Sequence, residues 1–113
     1  MARPARTLRV DLHGHDVTTA LELSAIRVRE AQANGWEAVE LVHGAADVEK
    51  PVTEGRGRIK WELRRMAATG RFDRWIDRSR TWEKGGSLVL YLKPNGRPGR
   101  ERWSGEPSRR YRR

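Results

Sequence analysis

Two short stretches of the chain end in the same pair of residues. Val10-Asp11-Leu12-His13-Gly14 and Leu41-Val42-His43-Gly44 each deliver an imidazole followed by glycine. An ordinary imidazole titrates near 6.5, so two of them with one carboxylate suffice for acid–base work at neutral pH. On a phosphodiester, one of His13 and His43 would deprotonate the attacking hydroxyl while the other protonates the leaving oxygen. Asp11 would orient His13 and fix its tautomer. Gly14 and Gly44 would admit a phosphate close to backbone N–H groups near helix N-termini. His15 reads as a solvated loop residue. Asp11 and the two histidines also suit a divalent cation such as Mg2+, but nothing in the spacing requires one and no metal ligand is assigned.

The elements that must position these groups are legible around them. Leu8, Val10 and Leu12 alternate with Arg9, Asp11 and His13, the period-two pattern of a strand. Asp11 and His13 then point the same way, about 6 to 7 Å apart at about 3.3 Å rise per residue. Asp16 is suited to cap a helix running to about Asn34, where Asn34-Gly35 stops it. Val17, Ala20, Leu21, Ser24, Val28 and Ala31 form its stripe, with Glu22, Arg29 and Glu30 off it. Leu23 and Ile26 fall on the opposite side, either as tolerated surface residues or as a second patch for a neighbouring helix or a protein partner. Residues 36–42 make a second strand ending in His43-Gly44. A strand, helix and strand in close succession predict a right-handed crossover with parallel strands, which brings both His-Gly pairs to one sheet edge.

Residues 45–57 read as a loop marked by Pro51, Gly55 and Gly57, of a length that is more often functional or mobile than inert. A second helix follows from Arg58 to about Thr69, with Ile59, Leu63, Met66 and Ala67 on one face and Lys60 elsewhere. Trp61, off that stripe and near Arg56, Arg58 and Lys60, is placed either to stack on a base or to pack under the preceding loop. Residues 72–77 read as a short third strand and 87–92 as a buried fourth. Between them Arg78, Arg80, Trp82 and Lys84 suggest a basic flap. The pattern therefore divides into an N-terminal arm (1–6), one domain (7–93) and a basic tail (94–113) of Arg, Gly, Pro and Ser that reads as disordered.

Composition narrows the partners. Lys plus Arg outnumber Asp plus Glu by 24 to 15, giving a net charge of +9 that favours polyanions such as nucleic acid over anionic membrane. The absence of Cys excludes disulfides, thiolate metal sites and a cysteine nucleophile. No run of 18 apolar residues occurs, and Met1 to Arg6 lack the apolar region of a signal peptide, so a cytoplasmic protein is expected, monomeric by default.

The two motifs resemble those of the small MutS-related (Smr) domain. Val-Asp-Leu-His-Gly at 10–14 corresponds to that family's leucine–aspartate–any–histidine motif, and Leu-Val-His-Gly at 41–44 to the start of its second. Gly55-Arg-Gly-Arg-Ile-Lys and Gly-Gly-Ser-Leu-Val-Leu at 85–90 extend the likeness over about residues 7–93. The resemblance implies a two-layer α/β sandwich of βαβαββ order, similar to the C-terminal domain of bacterial initiation factor three. It implies a four-stranded mixed sheet with both helices on one face, and nucleic-acid binding with endonuclease activity at the motif edge. Asp11, His13, His43 and Gly44 carry over. The second motif usually continues with a basic residue and another glycine, where this chain has Ala45 and Ala46, so one cation is missing unless Arg56 or Arg58 replaces it.

The leading expectation is thus a nucleic-acid-binding endonuclease with Asp11, His13 and His43 as catalytic residues. Gly14, Gly44, Arg56, Arg58, Lys60, Trp61, Arg78, Arg80, Trp82 and Lys84 would hold RNA or DNA. The alternative is a non-catalytic module that binds nucleic acid or docks on the ribosome.

Overall fold

The computed structural model describes residues 6–107. Five strands and helices of useful length carry the fold: β1 (Thr7–Asp11), α1 (Val17–Ala33), β2 (Ala38–Val42), α2 (Arg58–Ala68) and β4 (Ser87–Tyr91). A 3-10 turn at Arg78–Arg80 and a two-residue strand, β3 (Trp82–Glu83), precede β4. The sheet order is β1-β2-β4-β3, with β1 and β2 parallel and the other pairs antiparallel. This is the four-stranded mixed sheet of a two-layer α/β sandwich.

Alternation builds the core as the sequence predicts. Val10 and Leu12 join Val39, Leu41, Leu88 and Leu90 in one buried cluster with Ala20, Leu23, Leu63 and Ala67 from the two helices. Residues from both helices in a single cluster place both on the same sheet face. On the other face Ala38, Val89 and Tyr91 form a separate small cluster containing no helix residue. There the Arg80 guanidinium lies 4.3 Å from the Tyr91 ring centroid. The buried Glu40 carboxylate accepts from Ser87 Oγ at 2.7 Å and from Lys84 Nζ at 3.2 Å. The Ser87 bond, joined by Lys84 and opposed by burial, holds Glu40 below the ordinary carboxylate range.

Three features differ from the pattern reading. Residues 72–77 are not the third strand: they continue the turns that end α2, and only Ile76 bridges the sheet, opposite Leu92. Phe72 and Ile76 lie four residues apart with Ile76 N–H donating to the Phe72 carbonyl at 3.1 Å, so both drop into the core from one helical turn. The third strand is Trp82–Glu83 instead, within the stretch read as a flap. Of the two readings of Leu23, the buried one holds: it is 1% exposed and shares the core cluster with Leu63 and Ala67 of α2.

The third difference concerns the tail. Residues 94–107 run back along α1 as a strap. Asn95 Nδ2 donates to the Gln32 and Ala33 carbonyls at 3.1 and 3.2 Å, satisfying the helix C-terminus. Gly99 N–H donates to the Ala33 carbonyl at 2.9 Å, and Glu101 N–H to Asn34 Oδ1 at 2.7 Å. Pro98 packs where a Cβ on Gly35 would lie. Ser104 N–H donates to Glu30 Oε2 at 2.7 Å, and Arg27 pairs with Oε1 of the same carboxylate at 2.7 Å. Burial acts to raise Glu30, but these bonds outweigh it and hold the carboxyl below its ordinary value. The rest of the basic tail lies outside the described residues, as do residues 1–5 of the N-terminal arm.

Candidate active site

The parallel register of β1 and β2 pairs Asp11 with Val42, so the residues that follow each strand emerge side by side. Leu12 N–H donates to the Val42 carbonyl at 2.8 Å and extends the pairing to the turn. Beyond it lies a cavity of about 360 Å³ lined by His13, His15, Asp16, His43, Gly44, Ala45 and the 55–60 segment. His13 and His43, thirty residues apart in sequence, thus share one cavity.

The two imidazoles sit in unlike surroundings. His13 is exposed. His43 is 8% exposed, and its Nδ1 accepts from the Ala45 N–H at 3.4 Å. That bond assigns the ring proton to Nε2, which is buried with no hydrogen-bond partner among the described residues. Burial, reinforced by the positive charges of Lys60 and Arg64, pushes the His43 pKa down to about 4. His43 is therefore a neutral Nε2–H donor at physiological pH.

Asp11 does not contact the His13 ring. Its carboxylate accepts from the His13 backbone N–H at 2.9 Å, an Asx-type turn that sets the chain direction into the His-Gly corner. Asp11 also stands outside the cavity lining. Gly14 and Gly44 have φ of 84° and 77°, and a Cβ on either would meet nothing within 4 Å. Their contribution is the left-handed backbone rather than closeness to a neighbour.

The helix N-termini at the cavity also differ. Asp16 caps α1: its Oδ2 accepts from Thr19 N–H at 3.0 Å and Oδ1 from Thr19 Oγ1 at 2.7 Å, so the positive end of that helix already meets a carboxylate. The N-cap of α2 is Gly57, which supplies no side-chain bond. Gly57 has φ of 92°, and a Cβ there would lie 2.6 Å from a Val48 methyl, so loop and helix meet too closely for any other residue. The first turn of α2 thus opens onto the cavity without a side-chain cap. Arg58, exposed, lines the cavity with no ion-pair partner among the described residues.

Other cations are already engaged. Arg56 grips Asp47 with two bonds of 2.6 and 2.5 Å on the surface of the loop, and lowers the Asp47 pKa. Lys60, read from the pattern as a surface cation, is 2% exposed and donates to the Ala45 carbonyl at 3.1 Å. Burial and the Arg64 charge lower its pKa. Trp61 packs under the loop with Nε1–H donating to the Val48 carbonyl at 3.2 Å, and Arg64 lies 4.8 Å from its ring centroid. Arg78 donates to the Ala68 carbonyl at 2.8 Å and pairs with Asp73 at 3.3 Å, closing the end of α2. Arg80, Trp82 and Lys84 flank the helix-free sheet face; neither these three nor Arg78 lines the cavity, although Trp82 is 52% exposed.

No family model matches the chain, and no curated protein or solved structure matches it. The site is accordingly read from its own geometry. His15, expected to be a solvated loop residue, keeps only 14% of its side chain exposed. Its Nε2 lies 3.2 Å from Glu106 Oε2, an imidazole–carboxylate pair at the cavity, and its Nδ1 is buried without a partner among the described residues. Its position after His13-Gly14, at the end of the same strand, was the available signal; Glu106 comes from the strap, 91 residues away. Among the described residues no group of three or more His, Asp or Glu is placed to hold a metal ion. No helix among them is long and apolar enough to cross a membrane.

Proposed function

We propose that the protein binds nucleic acid with a backbone phosphate seated in the His13–His43 cavity and cleaves the phosphodiester there, as an Smr-like endonuclease. The observation that carries this reading is the meeting of an uncapped helix N-terminus with an exposed and a buried imidazole in one cavity. The first turn of α2 and Arg58 supply positive potential for the phosphate. His13 is the acid–base group. His43, held neutral, donates a hydrogen bond to a phosphate oxygen instead of trading a proton. Asp11 acts through the turn that carries His13. On RNA, the 2′-oxygen bonds to phosphorus with its proton passing to His13, and the bond to the 5′-oxygen breaks. That oxygen then takes a proton from His13 or water, leaving a cyclic phosphate.

The test is incubation of purified wild-type and His13→Ala protein with single- and double-stranded RNA and DNA, with and without Mg2+, followed by identification of product ends. Cleavage that survives the substitution unchanged ends the proposal. A second reading, binding without cleavage, draws on Ala45 and Ala46 and on the single exposed imidazole. It predicts steeply salt-dependent binding with no product under any condition, because each neutralised phosphate releases counterion.

A further inference from the structure

A second cavity, of about 520 Å³, lies at the opposite end of α1, between the start of β1 and the strap. Arg6, Asn34, Trp36, Pro98, Arg100 and Trp103 line it. The Trp36 and Trp103 rings stand 6.2 Å apart at 67°, forming two walls of a corner. Trp103 keeps 41% of its surface exposed, although the strap that carries it is bonded to the helix on both sides, through Glu101 and Ser104. The strap therefore fixes a large aromatic plane in water rather than burying it.

Charge decides what such a corner takes. The Arg6 guanidinium lies 4.5 Å over Trp36, and exposed Arg100 stands at the rim, whereas Glu101 is paired with Arg29 at 3.8 Å. A cationic ligand of the kind held by aromatic cages would meet two arginines, so an anionic ligand with a flat ring is the better fit. We infer that the Trp36–Trp103 corner is a second contact for single-stranded nucleic acid, with a base stacked on Trp103 and a phosphate held by Arg6 and Arg100. The assignment rests on the nucleic-acid reading of the first cavity and adds a separate anchor to it. Seventeen residues of α1 separate the two sites, a length of about 25 Å at about 1.5 Å per residue. A strand stacked at about 3.4 Å per nucleotide needs about eight nucleotides to span them.

Fluorescence anisotropy with labelled oligoadenylates of four and twelve nucleotides tests this. The wild-type protein should gain affinity with length because the longer strand engages both sites. Trp103→Ala should weaken the twelve-mer at least about fivefold, the lower end of the effect of losing one stacked base, and most of the gain with length should disappear. Trp103→Phe should restore it, and Arg100→Ala should weaken the same probe while leaving the melting temperature unchanged. Unchanged affinity of Trp103→Ala and Arg100→Ala for the twelve-mer overturns the inference. So does binding of an acidic peptide at this corner with no effect on the oligonucleotide. Failure of the first cavity would appear separately, as twelve-mer binding that is insensitive to Arg58→Ala but still sensitive to Trp103→Ala.

Discussion

Replacing His43 with Gln should change how the fold responds to acid. In the folded chain the ring is held at about 4, against 6.5 for an ordinary histidine. At about 1.36 kcal/mol per tenfold change in proton affinity, the full difference is about 3 kcal/mol. The ring edges a cavity that admits water, so we expect about 2 kcal/mol of it to be expressed. The sign follows from which state takes the proton first. Above pH 6.5 the ring is neutral in both states and nothing is lost. Between pH 6.5 and about 4 the unfolded chain binds a proton that the folded chain refuses, so stability falls with pH across that window. Below about 4 both states are protonated and the difference stays constant. His43→Gln keeps a neutral side chain of similar polarity and removes this dependence. Urea unfolding at pH 7, 5.5 and 4 measures it: with a slope of about 1 to 1.5 kcal/mol per molar urea, the gap between wild-type and variant midpoints should shift by about 1.3 to 2 M in the variant's favour. Glu30 and Glu40, also held below their ordinary range, lose their contribution in both proteins and cancel in the difference. Parallel midpoints across the three pH values would refute the burial argument, and with it the neutral-donor role of His43.

The other predictions concern single contacts. Lys60→Met removes one of the charges that depress His43, and the ring's titration followed by NMR should move up toward 6.5. Gly57→Ala should cost at least about 1 to 2 kcal/mol in denaturant unfolding, since a side chain there is both left-handed and against Val48. Arg58→Ala should reduce the slope of log affinity against log salt by about one, the signature of one lost phosphate contact, without altering the melting temperature. Phe72→Ala should destabilise by about 3 to 5 kcal/mol, because that ring is fully buried in the core despite lying outside any strand or helix.

Much of the motif edge was legible because its signals are local. The Leu8, Val10, Leu12 alternation, the Asp16 cap and the Asn34-Gly35 stop each depend on residues within one turn of each other, and β1, α1 and β2 fall where they indicate. What escaped was set at long range. Thr19, Leu23 and Glu30 lie within about 40° of one another around α1 at about 100° per residue. They are buried beside the expected stripe, Glu30 under the strap. A helix covered on two sides has a wider buried face than its own periodicity announces. Residues 72–77 have strand-like composition, but Gly70 ends α2 and Arg71 N–H bonds back to the Met66 carbonyl at 2.9 Å, turning the chain before a strand can begin. Trp82–Glu83 is too short to show any period. At the site, the pairing of His13 with His43 followed from a parallel crossover, whereas the burial of His43 and Lys60 depended on how the loop closes over them.

The sheet order carries a consequence for how the chain comes into being. The strand between β2 and β3 is the last one made, and all five of its residues are buried. Until Ser87–Tyr91 is available, β2 keeps an open edge and Val39 and Leu41 lack the partners that cover them. A nascent or proteolysed chain ending before that strand would present a hydrophobic edge of the kind that pairs with other chains. Assembly of the His13–His43 cavity is thereby deferred: both imidazoles come early in the chain, but the strand that steadies them is among the last to arrive.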